Sequence, residues 1–169
     1  MDTLEAIRTR RSIRRYKAQA IREAELRTIV AAGMSAPSAG NEQPWHFIVI
    51  KDRRLLEAIP RLNPYAAMAR DASVAILVCG DLRLERFKGF WVQDCAAATQ
   101  NMLLAAHALG LGAVWTGIYP LPDRVEGFKK LFNLPEDVIP FALIPLGYPD
   151  QAYRSEDRFK PERIHEEVW

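Results

Sequence analysis

Residues 73 to 80 read SVAILVCG, and from Val74 to Cys79 no side chain is polar. Successive side chains of a strand point to opposite faces, so a strand without a polar position needs apolar cover on both. The rest of the chain can supply that cover. WHFIVI (45–50), GAVWTGIY (112–119) and VIPFALIPLGYP (138–149) read as further strands, the last with Pro140 and Pro145 implying exposure to an edge or irregular pairing. Helical spacing marks helices over residues 2–10, 22–33 and 122–132, with short ones at 53–59 and 64–71. The longest pattern covers 89–109, where Phe90, Trp91, Cys95, Ala98, Met102, Leu103, Ala106 and Leu109 recur before Gly110 stops the helix. Its middle, CAAAT, is small enough for another helix to come close. Four or five strands in mixed order with helices make the fold class α+β. With 169 residues one domain is expected, and residues 150–169, polar with scattered aromatics, read as an arm that cannot build its own core.

Charge narrows the function. The formal net charge is only +2, yet RTRRSIRRYK (8–17) holds six basic residues in ten. Any preference for anions is therefore local. Three readings compete for this stretch: a solvated helix end, a nucleic-acid contact, or a grip on one phosphate monoester. Nucleic-acid binding would call for further basic patches with interleaved aromatics, and the sequence has none. A phosphate dianion suits two or three guanidinium forks plus a hydroxyl, which fits Ser12 between its arginines.

SAPSAGNEQPW (35–45) reads as a stiff loop bracketed by Pro37 and Pro44. Ser38, Asn41 and Gln43 on it can both donate and accept, as reading the imide edge of a planar heterocycle requires. In GLGAVWTGIYP, Gly110, Gly112 and Gly117 allow backbone to approach a ligand closely. Neither GxGxxG after a strand nor GxxxxGK[ST] occurs, which disfavours a dinucleotide fold or a P-loop.

His46, His107 and His165 lack metal-ligand spacing, so no metal is expected. His46 reads as a strand residue, and Asp94 as structural or interfacial rather than a general acid. Cys79 and Cys95 read as buried free thiols. No apolar run can span a membrane, no apolar signal core opens the chain, and Asp2 and Glu5 argue against a transit peptide, so the cytoplasm is the expected location. Without side-chain acid–base machinery, a cofactor that carries the chemistry is the economical idea.

RRSIRRY, SAPSAGNEQPWHFIVI and LGLGAVWTGIYP, in this order, together with LGYPDQ and DRFKPERIHEEVW, resemble the nitroreductase family of FMN-dependent oxidoreductases, from about residue 4 to residue 169. The resemblance implies a central mixed, mostly antiparallel sheet of four or five strands, a C-terminal arm wrapping the partner, and a homodimer with FMN at the interface. It implies that Arg10, Ser12 and Arg14, with Arg158, grip the phosphate and pyrimidine edge, that Arg11 contributes to the same site, and that Arg154 is a weaker candidate. Pro37, Ser38, Asn41 and Gln43 would come from the partner, while Trp115, Thr116 and Gly117 lie by the ring with a backbone N–H towards flavin N5. Hydride would pass from NADH or NADPH through N5 to a nitroaromatic, quinone or similar acceptor by ping-pong. DLRLERFKG (81–89) is a brief lid for the family; Leu84, Phe87, Phe90 and Trp91 would wall the pocket. A flavin carrier without turnover, a flavin-dependent dehalogenase and a flavin-consuming relative are the alternatives.

Overall fold

The computed structural model describes residues 1–153 and 156–169. Its elements run α1 (Thr3–Thr9), α2 (Glu23–Met34), β1 (Trp45–Ile50), α3 (Arg53–Leu62), β2 (Val74–Asp81), α4 (Trp91–Ala108), β3 (Gly112–Ala113), β4 (Thr116–Gly117), α5 (Pro122–Phe132) and β5 (Val138–Gly147). Short 3-10 helices cover Ala39–Asn41, Pro64–Asp71 and Pro161–Arg163. The five strands form one sheet in the order β1-β2-β5-β3, with β4 also on β5, and every ladder is antiparallel.

The apolar run of β2 is covered on both faces, as its composition demands. Val74, Ile76 and Val78 join Leu26 and Ile29 of α2 and Cys95, Ala98 and Met102 of α4. Ala75, Leu77 and Cys79 join Leu56 and Ile59 of α3 and Phe128 of α5. Burial pushes the Cys79 thiol up to about 12, and both cysteines are free and buried. Where α2 meets α4, a Cβ on Gly33 would lie 2.9 Å from Met102 Cγ, so glycine sets how closely these helices approach.

One expectation about the sheet needs correction, and another is resolved between its two alternatives. The stretch 112–119 is not one strand. Val114 is buried and the Trp115 ring turns onto Phe141, centroids 5.5 Å apart, so the chain leaves the ladder for two residues between β3 and β4. Of the two alternatives for the strand carrying Pro140 and Pro145, the irregular pairing holds: the strand is central rather than at an edge, and its irregularity absorbs both prolines. Pro140 sits at the register shift opposite Val78 and Cys79. Pro145 falls between the segments that β3 and β4 pair; its carbonyl accepts from the Tyr16 hydroxyl at 3.2 Å, and its absent N–H faces the same way, where no strand asks for it.

The N-terminal segment is fastened to β3 and to the residues just after β5. Ile13 N–H donates to Ala113 O (2.9 Å), Lys17 N–H to Tyr148 O (2.9 Å) and Asp150 N–H to Arg15 O (2.9 Å). Gln151 Oε1 accepts from the N–H groups of Arg14 (2.8 Å) and Arg15 (3.0 Å). At the start of α2, buried Glu25 accepts from Arg22 Nη2 (2.6 Å), Arg22 N–H (3.0 Å) and the Tyr148 hydroxyl (3.0 Å). The Arg22 bond dominates and holds its carboxyl at about 2. A depressed carboxyl stabilises the fold above its unfolded value of 4.5, and that contribution is lost as pH falls towards 2. In thermal melts across that window, the wild type is expected to lose stability relative to Glu25→Gln, which cannot titrate.

Candidate functional site

Arg10 is the residue at which α1 ends and the chain becomes extended. Beyond it Ser12 bridges Ala113 of β3, and Ile13, 3 % exposed, plugs the core against Gly112. The alternation that buries Ile13 leaves Arg10 and Ser12 along the open side. Arg10, Arg11, Ser12 and Arg14 line one hollow of about 350 Å³ with Tyr153, Glu156 and Arg158 of the arm. An adjoining hollow of about 550 Å³ shares Arg10, Arg11 and Arg158 and adds Ile7 and Phe159.

The cations here are not equivalent. Arg11 holds local backbone: its Nη1 donates to Arg8 O (3.0 Å) and Arg10 O (2.8 Å), and its Nη2 to Glu156 O (3.3 Å). Arg10, Arg14 and Arg158 form no ion pair with a carboxylate among the described residues. Burial, then repulsion from Arg11 and Arg158, lowers the pKa of the Arg10 guanidinium. Charge held against burial and against like charge suits an anion that would relieve both. Arg154 lies outside the described residues.

The 35–45 loop is built from unusual backbone. Gly40, Asn41 and Gln43 all have left-handed φ, at 51, 57 and 47°, a region that costs a non-glycine residue energy unless its surroundings impose it. Ser38 Oγ closes the turn by accepting from Gln43 N–H at 3.0 Å, while Asn41 and Gln43 are exposed. A Cβ on Gly40 would overlap the Phe87 ring, so the 82–90 segment lies directly on this loop. Phe87 and Phe90 meet edge to face at 6.3 Å and are half-exposed with Leu84.

Trp91 departs from its expected place. It is only 6 % exposed, lies against Gly80, and meets Tyr119 (4.9 Å) and Phe141 (6.1 Å) edge to face. Trp91 therefore backs the wall, and Tyr119 and Trp115, both partly exposed, are the aromatic rings presented there. Thr116 is buried with its hydroxyl donating to Leu143 O at 3.0 Å, leaving only its backbone for a ligand. Gly117 is exposed; its carbonyl is held from behind by Asn63 Nδ2 (3.2 Å) and Arg124 Nη1 (2.9 Å).

The model of the nitroreductase family matches residues 7–75 and 60–148, which takes in the basic segment, the left-handed loop and the 112–119 stretch. The chain belongs to the nitroreductase family. A relative from Methanothermobacter thermautotrophicus, provisionally named an NADH dehydrogenase/NAD(P)H nitroreductase, is 59% identical over 169 residues, covering 100% of this chain and 88% of its own. A crystal structure from Parabacteroides distasonis with the same provisional name superposes with TM-score 0.95 at 41% identity, covering 99% of this chain and 98% of that one. A nitroreductase, also provisionally named, from Desulfovibrio desulfuricans, crystallised with FMN, gives TM-score 0.85 at 37% identity over 100% of this chain and 99% of its own.

This nitroreductase-family chain thus gathers its expected site residues into two groups. Arg10, Arg11, Ser12, Arg14 and Arg158 share one hollow beside β3, two residues before Trp115. Pro37, Ser38, Asn41 and Gln43 form the other with Phe87; among the described residues no hydrogen bond joins the two. Sequence reasoning missed Tyr119, Asn63, Arg124 and Glu42. Asn63 and Arg124 act on Gly117 from 54 and 7 residues away, and no short-range pattern marks such contacts. Among the described residues no group of three His, Cys, Asp or Glu could hold a metal ion, and no helix is long and apolar enough to cross a membrane.

Proposed function

We propose that this chain is an FMN-dependent oxidoreductase that passes hydride from NADH or NADPH to a nitroaromatic, quinone or similar small acceptor by a ping-pong mechanism. The observation that carries the reading is the hollow in which Arg10, Arg14 and Arg158 converge on Ser12 without a neutralising ion pair among the described residues. Its donors suit the phosphate monoester of FMN. Guanidinium forks supply paired charge-assisted bonds, and the Ser12 hydroxyl adds a rotatable donor.

FMN, when bound, supplies the redox chemistry by accepting hydride at N5 and returning it to the second substrate. The residues of the chain position it. Arg10 and Arg158 hold the phosphate, and Arg14 favours negative charge at the pyrimidine edge. Arg11 keeps the end of α1 and the arm in place around them. Gly117, braced by Asn63 and Arg124, brings backbone to the ring with Trp115 and Thr116. Leu84, Phe87, Phe90 and Tyr119 wall a stacking surface large enough for a nicotinamide or a flat acceptor in turn. Asp81 is paired with Arg83 at 2.7 Å, Glu42 Oε2 accepts backbone amides, and Glu42 and Asp94 are both buried away from solvent; protons for the acceptor come from water.

The two site groups of one chain are complementary halves, and the working unit in this proposal is a cytoplasmic homodimer. Pro37, Ser38, Asn41 and Gln43 of each subunit meet the flavin held by the other, and the arm wraps the partner. The brief lid leaves the site open and its choice of acceptor broad. No nucleic acid or metal has a part in it.

Purified protein is expected to be yellow with near-stoichiometric flavin, which anaerobic NADH or NADPH bleaches and an added acceptor restores. A colourless preparation that takes up no FMN would sink the reading. Flavin that neither nicotinamide bleaches would mark a carrier instead of an enzyme.

A further inference from the structure

Two buried carboxyl groups, one on the left-handed loop and one on α4, have no direct part in the flavin site proposed above. Glu42 and Asp94 are 6 % and 4 % exposed. One oxygen of each is satisfied. Glu42 Oε2 accepts from the N–H groups of Arg86 (2.7 Å) and Phe87 (3.1 Å), and Asp94 Oδ1 accepts from Ala39 N–H (3.0 Å). Glu42 Oε1 and Asp94 Oδ2 are buried and lack a donor. A buried carboxylate oxygen without a partner is costly, and two adjacent buried anions more so. One shared proton satisfies both oxygens and removes one of the charges.

We propose that Glu42 and Asp94 share one proton and act together as a latch: the Asp94 carboxyl donates to Glu42, whose carboxylate ties the Arg86–Phe87 backbone to the 38–43 loop. Three elements meet at this pair. Asp94 belongs to the first turn of α4, Glu42 to the loop, and the amides it binds to the 82–90 segment. The latch sets Phe87 on Gly40 and so fixes both the pocket wall and the backbone that presents Asn41 and Gln43. Glu42 and Asp94 are positioning residues, and their effect on turnover rests on the flavin reading above. The latch itself does not.

The surrounding groups give the direction of its pH response. Burial raises the Asp94 pKa, with Glu42 and Glu85 adding repulsion and the Ala39 amide opposing. Burial also works against the Glu42 charge, but the Arg86 and Phe87 amides, the bond from Asp94 and the Arg86 cation outweigh it, so its pKa is lowered. The charged groups facing the pair are thus Glu85 and Arg86 of the 82–90 segment; beside Asp94 on α4, the Cys95 thiol is itself pushed up, chiefly by burial. A raised carboxyl stabilises in its protonated form, and that contribution is lost as pH rises from the ordinary carboxylate range through the raised value. Two anions then face each other, and the segment is released.

Infrared spectroscopy and amide hydrogen exchange on the protein as purified, then on flavin-stripped protein, test this. The wild type is expected to show a protonated-carboxyl stretch at neutral pH that shifts in deuterated water. Protection of the Arg86 and Phe87 amides, relative to their unstructured rates, should be lost as pH rises. Asp94→Asn keeps an oxygen for Ala39 and offers an N–H to Glu42, so the stretch should vanish and protection should become independent of pH. Glu42→Gln, with its amide donating to Asp94, should read the same way and serves if the first variant does not fold. A wild type without the stretch at neutral pH, or with protection flat across pH, overturns the latch. A colourless protein would sink the flavin reading and leave both latch readouts standing.

Discussion

Replacing Arg10 and Arg158 together by alanine is expected to weaken FMN binding by about 3–6 kcal/mol, roughly two to four orders of magnitude in Kd, from two charge-assisted partners at about 1.5–3 kcal/mol each. The folded protein without flavin should not suffer in parallel. Burial and the Arg11 and Arg158 charges lower the proton affinity of Arg10, and a cation whose pKa is lowered in the folded state opposes folding at neutral pH. Removing it should leave the melting temperature of the flavin-free protein unchanged or higher. A flavin titration beside a thermal melt reads both quantities. Undiminished retention of flavin would show that the phosphate is held elsewhere, and a large fall in apo stability would show that these arginines serve the fold.

Gly80→Ala should be the most damaging small change in the sheet. Gly80 is buried on β2, and a Cβ there would overlap the Trp91 ring. That ring is almost fully buried and already packs edge to face on Tyr119 and Phe141. Overpacking a closed core costs roughly 1–3 kcal/mol; the upper figure fits here and corresponds to a fall of about 6–12 °C in Tm for a chain of this size. Trp91 fluorescence should shift as the ring is forced towards Tyr119, and acceptor KM should rise with the disturbed wall. Adding Trp91→Leu should recover part of the loss, because the pair shares one volume. Full additivity of the two changes would show that the contact does not decide the cost.

Much of this could be read along the chain because it depends on near neighbours. The apolar run of β2 announced cover on both faces. The spacing of α4 found Trp91, Cys95, Ala98, Met102 and Ala106 on the buried face. The same spacing brings Asp94, Thr99 and His107 onto that face, where their polarity hid them. Two of them meet groups that local pattern does not reveal, Asp94 Oδ1 the Ala39 amide and His107 Nε2 the Thr9 hydroxyl at 2.8 Å, while Thr99 bonds back to the Cys95 carbonyl one helical turn away. The prolines of β5 left two readings open, an edge or irregular pairing, and only the second holds. Proline excludes a hydrogen bond at one backbone position, and a central strand with a bulge and a gap in its neighbour has two positions that need none. The grouping of the site residues was legible only through the family resemblance, since residue types alone left the basic stretch open to three readings.

The place of β5 also governs the order of events during synthesis. It lies between β2 and the β3 and β4 segments, yet it is the last strand in the chain, beginning at Val138. Until it leaves the ribosome, β1 and β2 can form only a hairpin-like pair, with the inner edge of β2 open and β3 and β4 without a strand of the sheet to pair with. The basic segment, translated well before β5, is completed by the residues that follow that strand, because Tyr148, Asp150 and Gln151 fasten it beside Ala113. A nascent chain of this kind gains its sheet and its basic hollow in one late step, once β5 has emerged.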